Sequence, residues 1–247
     1  MNWSLGIAGG GRAAWAYASS WQRVGWPVGG VWLRPGSTSP LPDLLGVPRR
    51  QVEQIDCDLF LVAVSDRAIE EVGAMIPPGR SIIFHASGAL PAVRGGFSLH
   101  PLRALPPVGQ PTDLRDTLLV FEGTHREMAR SVADGLGARF AEISASDKTR
   151  YHAAAVFGSN YVAALLEIAA RLIGVENTRG DLAALARSAI EIWCANPDAN
   201  RFTGPAARGD STVMNEHLAA LRDDPQLAEI YKLLAAEIER ALLASQK

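Results

Sequence analysis

Apolar and polar positions fall into two regimes along this chain. Up to about residue 146, short apolar runs alternate with helical spacing; beyond Asp147, alanine and leucine dominate and no strand pattern remains. The first run, Trp3 to Ala8, breaks into Gly9-Gly10-Gly11 and resumes as a helical pattern from Ala13 to Val24, predicting a strand, a tight turn and a helix. Val28 to Leu33 predicts a second strand, and Pro40 to Pro48 reads as irregular. Asp58 to Val64 is continuously apolar, the mark of a strand buried on both faces of a parallel sheet. Ser65-Asp66 then predicts a cap for a helix running to about Ile76, and Pro77-Pro78-Gly79 its stop. Ser81 to Phe84, Phe97 to Leu102, Thr117 to Phe121 and Arg139 to Ile143 predict further strands, with a helix from Arg126 to Leu136 before the last. Strands alternating with helices on short turns predict an α/β fold with a doubly wound parallel sheet, whose ligands sit at the carboxyl ends of the strands.

The second regime predicts an all-α domain. Its helices are expected from His152 to Val175, from Asp181 to Cys194, from Asp210 or Ser211 toward Leu221, and from Asp223-Asp224-Pro225 to Ser245. Asn160, Glu167 and Arg171 interrupt the long apolar segment from His152, which suits a bundle helix better than a membrane span. The apolar character of that helix predicts burial against a second copy, a homodimer. Boundaries at 1–146 and 147–247 follow.

Composition narrows the function. The 247 residues include 24 Lys and Arg against 26 Asp and Glu, a net charge of −2, so there is no basic footprint for nucleic acid or an anionic membrane. Two distant cysteines and five histidines without ligand spacing predict neither a disulfide framework nor a metal site. The N-terminal stretch lacks a basic region and is broken by glycines, so it does not read as a signal peptide; a cytoplasmic protein is expected.

Chemistry concentrates in a few stretches. Gly9-x-Gly11-x-x-Ala14 has the spacing of a dinucleotide-binding turn: Gly9 turns tightly, Gly11 lets backbone approach a pyrophosphate, and Ala14 lets the helix lie close to the strand. The helix start, with Arg12 and Ala13, offers free N–H groups to an anion. At the end of the second strand stands Arg34, with Ser37 close by, where an NAD enzyme presents an acid; this favours NADP over NAD, the alternative being a solvated arginine in a turn. Val64, Ser65, Asp66 and Ser87 fall at later strand ends, on the same edge. His100, held extended by Pro101, could act as general acid or cap a turn. His152 and Ser159, seven residues apart, share a helix face about 10 Å apart, with Lys148 one turn earlier and Asn160 adjacent. In the linker Arg201 to Thr212, Arg208 stands between helix breaks near Thr203, placed to grip a carboxylate.

These motifs resemble a family of bacterial proteins in which a Rossmann-like domain precedes a helical domain of unknown function, DUF2520, within the 6-phosphogluconate dehydrogenase-like superfamily. The resemblance covers nearly the whole chain. It rests on Gly9-x-Gly11-Arg12, Ala63-Val64-Ser65-Asp66, His85-Ala86-Ser87-Gly88, His100-Pro101-Leu102, Tyr151-His152, Ser159-Asn160 and Thr203-Gly204-Pro205 through Asp210. Ser87 with His100-Pro101 also looks like prephenate dehydrogenase, and the linker at Thr203 is similar in placement to the substrate loop of pyrroline-5-carboxylate reductase. The Lys-x-x-x-Asn pair of β-hydroxyacid dehydrogenases is not kept, since Val156 stands four before Asn160.

The resemblance implies a Rossmann NADP-binding domain, a helical substrate and dimerisation domain, and an oxidoreductase moving a hydride between nicotinamide and a small carboxylate-bearing 2-oxo or hydroxy acid of the ketopantoate reductase type. His100 or His152 would transfer the proton, Ser87 and Asn160 would orient the reacting oxygen, and Ser159, Thr203 and Arg208 would bind substrate. Two alternatives stand beside it: an imine reductase of the pyrroline-5-carboxylate type, and an NADP-binding sensor without turnover.

Overall fold

Leu5–Ala8 forms β1, whose four residues are all buried, because an apolar run flanked by parallel neighbours on both sides has no face turned to water. The computed structural model, which describes residues 2–197 and 201–245, pairs β1 with β2 (Val28–Trp32) on one side and β3 (Leu59–Val62) on the other, parallel to both. The sheet continues through β4 (Ile82–His85), β5 (Phe97–Pro101), β6 (Leu118–Gly123) and β7 (Arg139–Glu142), giving the order β2-β1-β3-β4-β5-β6-β7. The β5–β6 pair is antiparallel and the others parallel, so the last two strands run against the first five.

Two apolar layers hold the sheet. On one face α1 (Arg12–Arg23) buries Tyr17 and Trp21, and α4 (Arg126–Leu136) buries Val132 and Leu136, around Phe84, Phe97 and Phe121. Phe84 stacks on Phe97 at 5.1 Å between ring centres while Tyr17 meets Phe84 edge-on. On the other, α3 (Ile69–Met75) sets Ile69 and Val72 against Phe60 and Val62.

Three local expectations change. Residues 40–48 hold a short helix, α2 (Leu41–Leu45), started by Pro42 near its N-terminus and ended by Gly46 in the left-handed region; its Leu41 and Leu45 are buried. Ser65 and Asp66 do not cap α3 through their side chains: residues Asp66–Ala68 make a 3₁₀ turn first, with Ala68 N donating to Ser65 O at 2.8 Å. The long helix expected from His152 is two helices, α5 (Lys148–Phe157) and α6 (Asn160–Ile173). Glycine is a poor helix former, and the Ser159 hydroxyl back-bonds to Ala155 O at 2.6 Å, so the chain breaks at Gly158-Ser159.

The chain forms two compact units, Met1–Val162 and Ala163–Lys247, so α5 folds with the sheet that precedes it. The second unit contains most of α6, then α7 (Arg179–Ala195), the short α8 (Pro205–Arg208), α9 (Ser211–Ala220) and α10 (Pro225–Ala244). Asp210 and Asp224 cap α9 and α10, their carboxylates accepting from Val213 N at 3.2 Å and Leu227 N at 3.0 Å. Leu182, Ala206, Leu227 and Ala235 are its buried apolar residues among those described.

Candidate active site

A cavity of about 570 Å³ opens at the carboxyl edge of the first strands, entirely within the first unit. Its floor is the β1–α1 turn. Gly9 has φ +119°, and a Cβ there would sit 2.1 Å from Ala63 O, so no other residue fits. Gly11 differs: a Cβ on it would meet nothing within 4 Å, because that side faces the open cavity. No side chain caps α1 and no acid stands in its first turn, so its leading N–H groups remain available to a negatively charged group. Arg12 and Ala13 line the same space, whereas Ala14 is wholly buried and serves by packing.

From this turn the cavity runs two ways. Toward β2 it reaches Arg34 and Ser37, both past the strand end, with Ser39 between them and the glycine turn. Ser39 Oγ donates to Gly10 O at 2.7 Å, and Arg49 braces the exit of β2 by donating to Leu33 O and Arg34 O, each at 3.2 Å. The Arg34 side chain is exposed. In the other direction the cavity passes Val64, Ser65 and Asp66 and ends at Ala86 and Ser87, beyond β4.

The Ser87-Gly88 corner is built by buried polar groups. His85 is fully buried; its Nδ1 accepts from Ser87 N at 3.2 Å and its Nε2 donates to Pro91 O at 2.9 Å. Burial, with Lys148 adding to it, pushes its pKa down to about 4, so it is a neutral clasp for this loop. Ser87 Oγ accepts from Ala89 N and Leu90 N, leaving its own proton free to donate. Lys148, 1% exposed, reaches from α5 to donate to Ser87 O at 3.2 Å and to Ser98 Oγ, with Glu122 Oε2 at 4.0 Å. Burial lowers its pKa, against the opposing pull of Glu122 and Asp66.

Gly88 is where the two site histidines converge. A Cβ at Gly88 would lie 2.9 Å from His152 Cδ2 and 3.0 Å from His100 Nε2, and the imidazole centres are 6.4 Å apart. His100 Nδ1 is 2.6 Å from the Tyr151 hydroxyl. Burial first, then His152 and Lys148, pushes the His100 pKa down to about 4, so at neutral pH this imidazole is uncharged.

The structure therefore gathers Ser87, His100 and His152 around one glycine, at the end of the cavity that begins with Gly9 and Gly11. Ser159 and Asn160 form a separate pair at the α5–α6 junction, Ser159 Oγ lying 3.0 Å from Asn160 Oδ1. Thr203 and Arg208 belong to the second unit, both exposed, the latter ending α8 just before Gly209 in the left-handed region. Glu122 and Ser98 are residues that sequence reading left out, and Lys148 and Tyr151, present in its motifs, were given no role at the site. Lys148, Tyr151 and His152 stand at i, i+3 and i+4 and so share a face, and Glu122 ends the apolar run Leu118 to Phe121, a carboxylate that needs a cation once buried.

The fold is that of several solved structures. The chain is similar to the putative NADP oxidoreductase of Bacteroides fragilis (21% identity, 97% of this chain and 98% of that one, TM-score 0.81). It is similar to a Thermotoga maritima protein (20%, 98% and 100%, TM-score 0.76) and to a reductive aminase of Aspergillus terreus solved with NADPH and ethyl levulinate (18%, 99% and 95%, TM-score 0.65). No curated protein matches the sequence. Residues 118–238, from β6 into α10, match the family model described as a domain of unknown function, DUF2520.

Proposed function

We propose that this protein is an NADP-dependent oxidoreductase acting on a small carboxylate-bearing 2-oxo or hydroxy acid of the ketopantoate type. One observation carries the reading: a single cavity joins the open glycine turn, which suits a diphosphate, to Ser87 at the corner where His100 and His152 meet. The residues present fit the group. Gly9, Gly11 and the first N–H groups of α1 would hold its diphosphate, and Arg34 with Ser37 its 2′-phosphate, there being no acid where β2 ends. When bound, the nicotinamide supplies or accepts a hydride.

The chain's own residues supply the remainder. Ser87 Oγ retains a proton to donate to the reacting oxygen, and His152, whose ring meets the same Gly88 corner, is assigned the proton exchange. Asn160 is proposed to orient substrate, and Arg208, an exposed guanidinium, to hold its carboxylate. Calorimetry with NADPH and NADH tests the cofactor assignment: NADPH is expected to bind more tightly, and Arg34→Ala to erase the difference. Binding of neither nucleotide overturns it.

Reduction of a cyclic imine is the second reading, favoured by likeness of fold to the Plasmodium falciparum pyrroline carboxylate reductase solved with NADP (13% identity, TM-score 0.61). Turnover of a 2-oxo acid against a cyclic imine, with NADPH, separates the two.

A further inference from the structure

Tyr151 has no part in the reading above, yet its hydroxyl is 2.6 Å from His100 Nδ1 and its ring stands edge-on to the imidazole at 5.5 Å. A hydrogen bond this short needs one proton, carried either by the phenol or by Nδ1. We propose that Tyr151 donates to His100 Nδ1 and so locks the imidazole as its neutral Nε2–H tautomer, a fixed hydrogen-bond donor at the Gly88 corner.

Geometry supports both halves. The Nε2 edge is the one turned to Gly88, where a Cβ would lie 3.0 Å away, and Nε2 takes no protein partner among the described residues. It is also not among the buried polar atoms lacking a partner, so it reaches solvent and can meet a ligand. The charged and titratable neighbours agree. From α5, Tyr151, His152 and Lys148 face His100; no carboxylate bonds to it, and Glu122 is engaged by Lys148 and by Ala92 N at 2.7 Å. A cation beside an imidazole disfavours a second one. Burial moves the two groups apart, the phenol up to about 12 and the imidazole down to about 4, which leaves the phenol protonated and the imidazole neutral.

Under the oxidoreductase reading, on which this consequence rests, His100 gives a hydrogen bond without giving up a proton. Such a donor suits an atom with free lone pairs, a carbonyl or hydroxyl oxygen, and opposes a protonated imine nitrogen. Tyr151 is then a positioning residue, acting through His100.

The test is nitrogen NMR of the full chain labelled with ¹⁵N-histidine, the His100 signals being assigned by their loss in His100→Asn. At pH 7, His100 is expected to show a protonated Nε2 and a bare Nδ1, unchanged between pH 6 and 8. Tyr151→Phe is expected to mix the two tautomers and raise the His100 pKa. A protonated Nδ1 in the wild type, or a spectrum indifferent to Tyr151→Phe, overturns the proposal. NADPH titrated into the same sample reports separately on the cofactor: absent binding with the tautomer as stated sinks the oxidoreductase reading and upholds the lock.

Discussion

Two glycines two residues apart do opposite work in the β1–α1 turn, and substitution separates them. Gly9 is bound by its own backbone and by Ala63 O, so Gly9→Ala is expected to cost about 2 kcal/mol or more of stability, seen as a lower urea midpoint. Gly11 has φ −93° and open space where a Cβ would go, so Gly11→Asp is expected to keep the melting temperature and weaken NADPH at least about tenfold, by setting a carboxylate where the diphosphate would lie. The buried histidines make a second residue-scale prediction. With pKa values near 4 against an ordinary 6.5, His85 and His100 take up protons more readily when the chain unfolds. Their stabilisation is full above pH 6.5 and drains away as pH falls toward 4, His85 alone by about 3 kcal/mol. Urea unfolding from pH 7 to 4.5 reads this, and a His85→Gln chain should lose part of the dependence.

At the scale of elements, the sheet and its strand ends were largely legible and the buried contact behind the Gly88 corner was not. Continuous apolar runs marked β1 and β3 because burial on both faces leaves polar residues no place, and Arg126 to Leu136 stood out because its apolar face repeats with helical period. The helix break at Gly158-Ser159 was hidden, since alanine and leucine on either side carry the period straight through it. Residues that line the cavity, from Gly9 to Ser87, could be read from strand ends; the Lys148–Glu122 contact could not, because it joins α5 to β6 across a separation of 26 positions with no local pattern. That contact pins α5, and with it Tyr151 and His152, to the sheet. Lys148→Met strands the Glu122 carboxylate, 7% exposed, and is expected to cost about 3–5 kcal/mol. Adding Glu122→Gln removes the stranded charge and keeps an acceptor for Ala92 N, so the double variant should recover much of the loss in a denaturation cycle.

For the whole molecule, the question is what covers the helices of the later sequence. None of α6 is buried, and α7 buries only Leu182. Tyr161, Leu165 and Leu172 on α6 are 50%, 39% and 55% exposed, and their spacing places them in one stripe. Residues 145–173 include a window of mean hydropathy 1.5, long and apolar enough to cross a membrane by length and composition alone. The turn at Gly158-Ser159 breaks that segment, and Glu167, paired with Arg179, puts charge in its second half, which fits a protein partner better than lipid. We propose a second copy of the chain as that partner, because a stripe repeated on an identical helix is complementary to itself across a two-fold axis. Light scattering should give twice the chain mass. Leu165→Glu with Leu172→Glu places like charges on both sides of such an interface, so the dimer is expected to fall to monomers while the sheet unit keeps its fold. A monomeric wild type, or wild-type protein that sediments with lipid vesicles, would assign the stripe to another occupant.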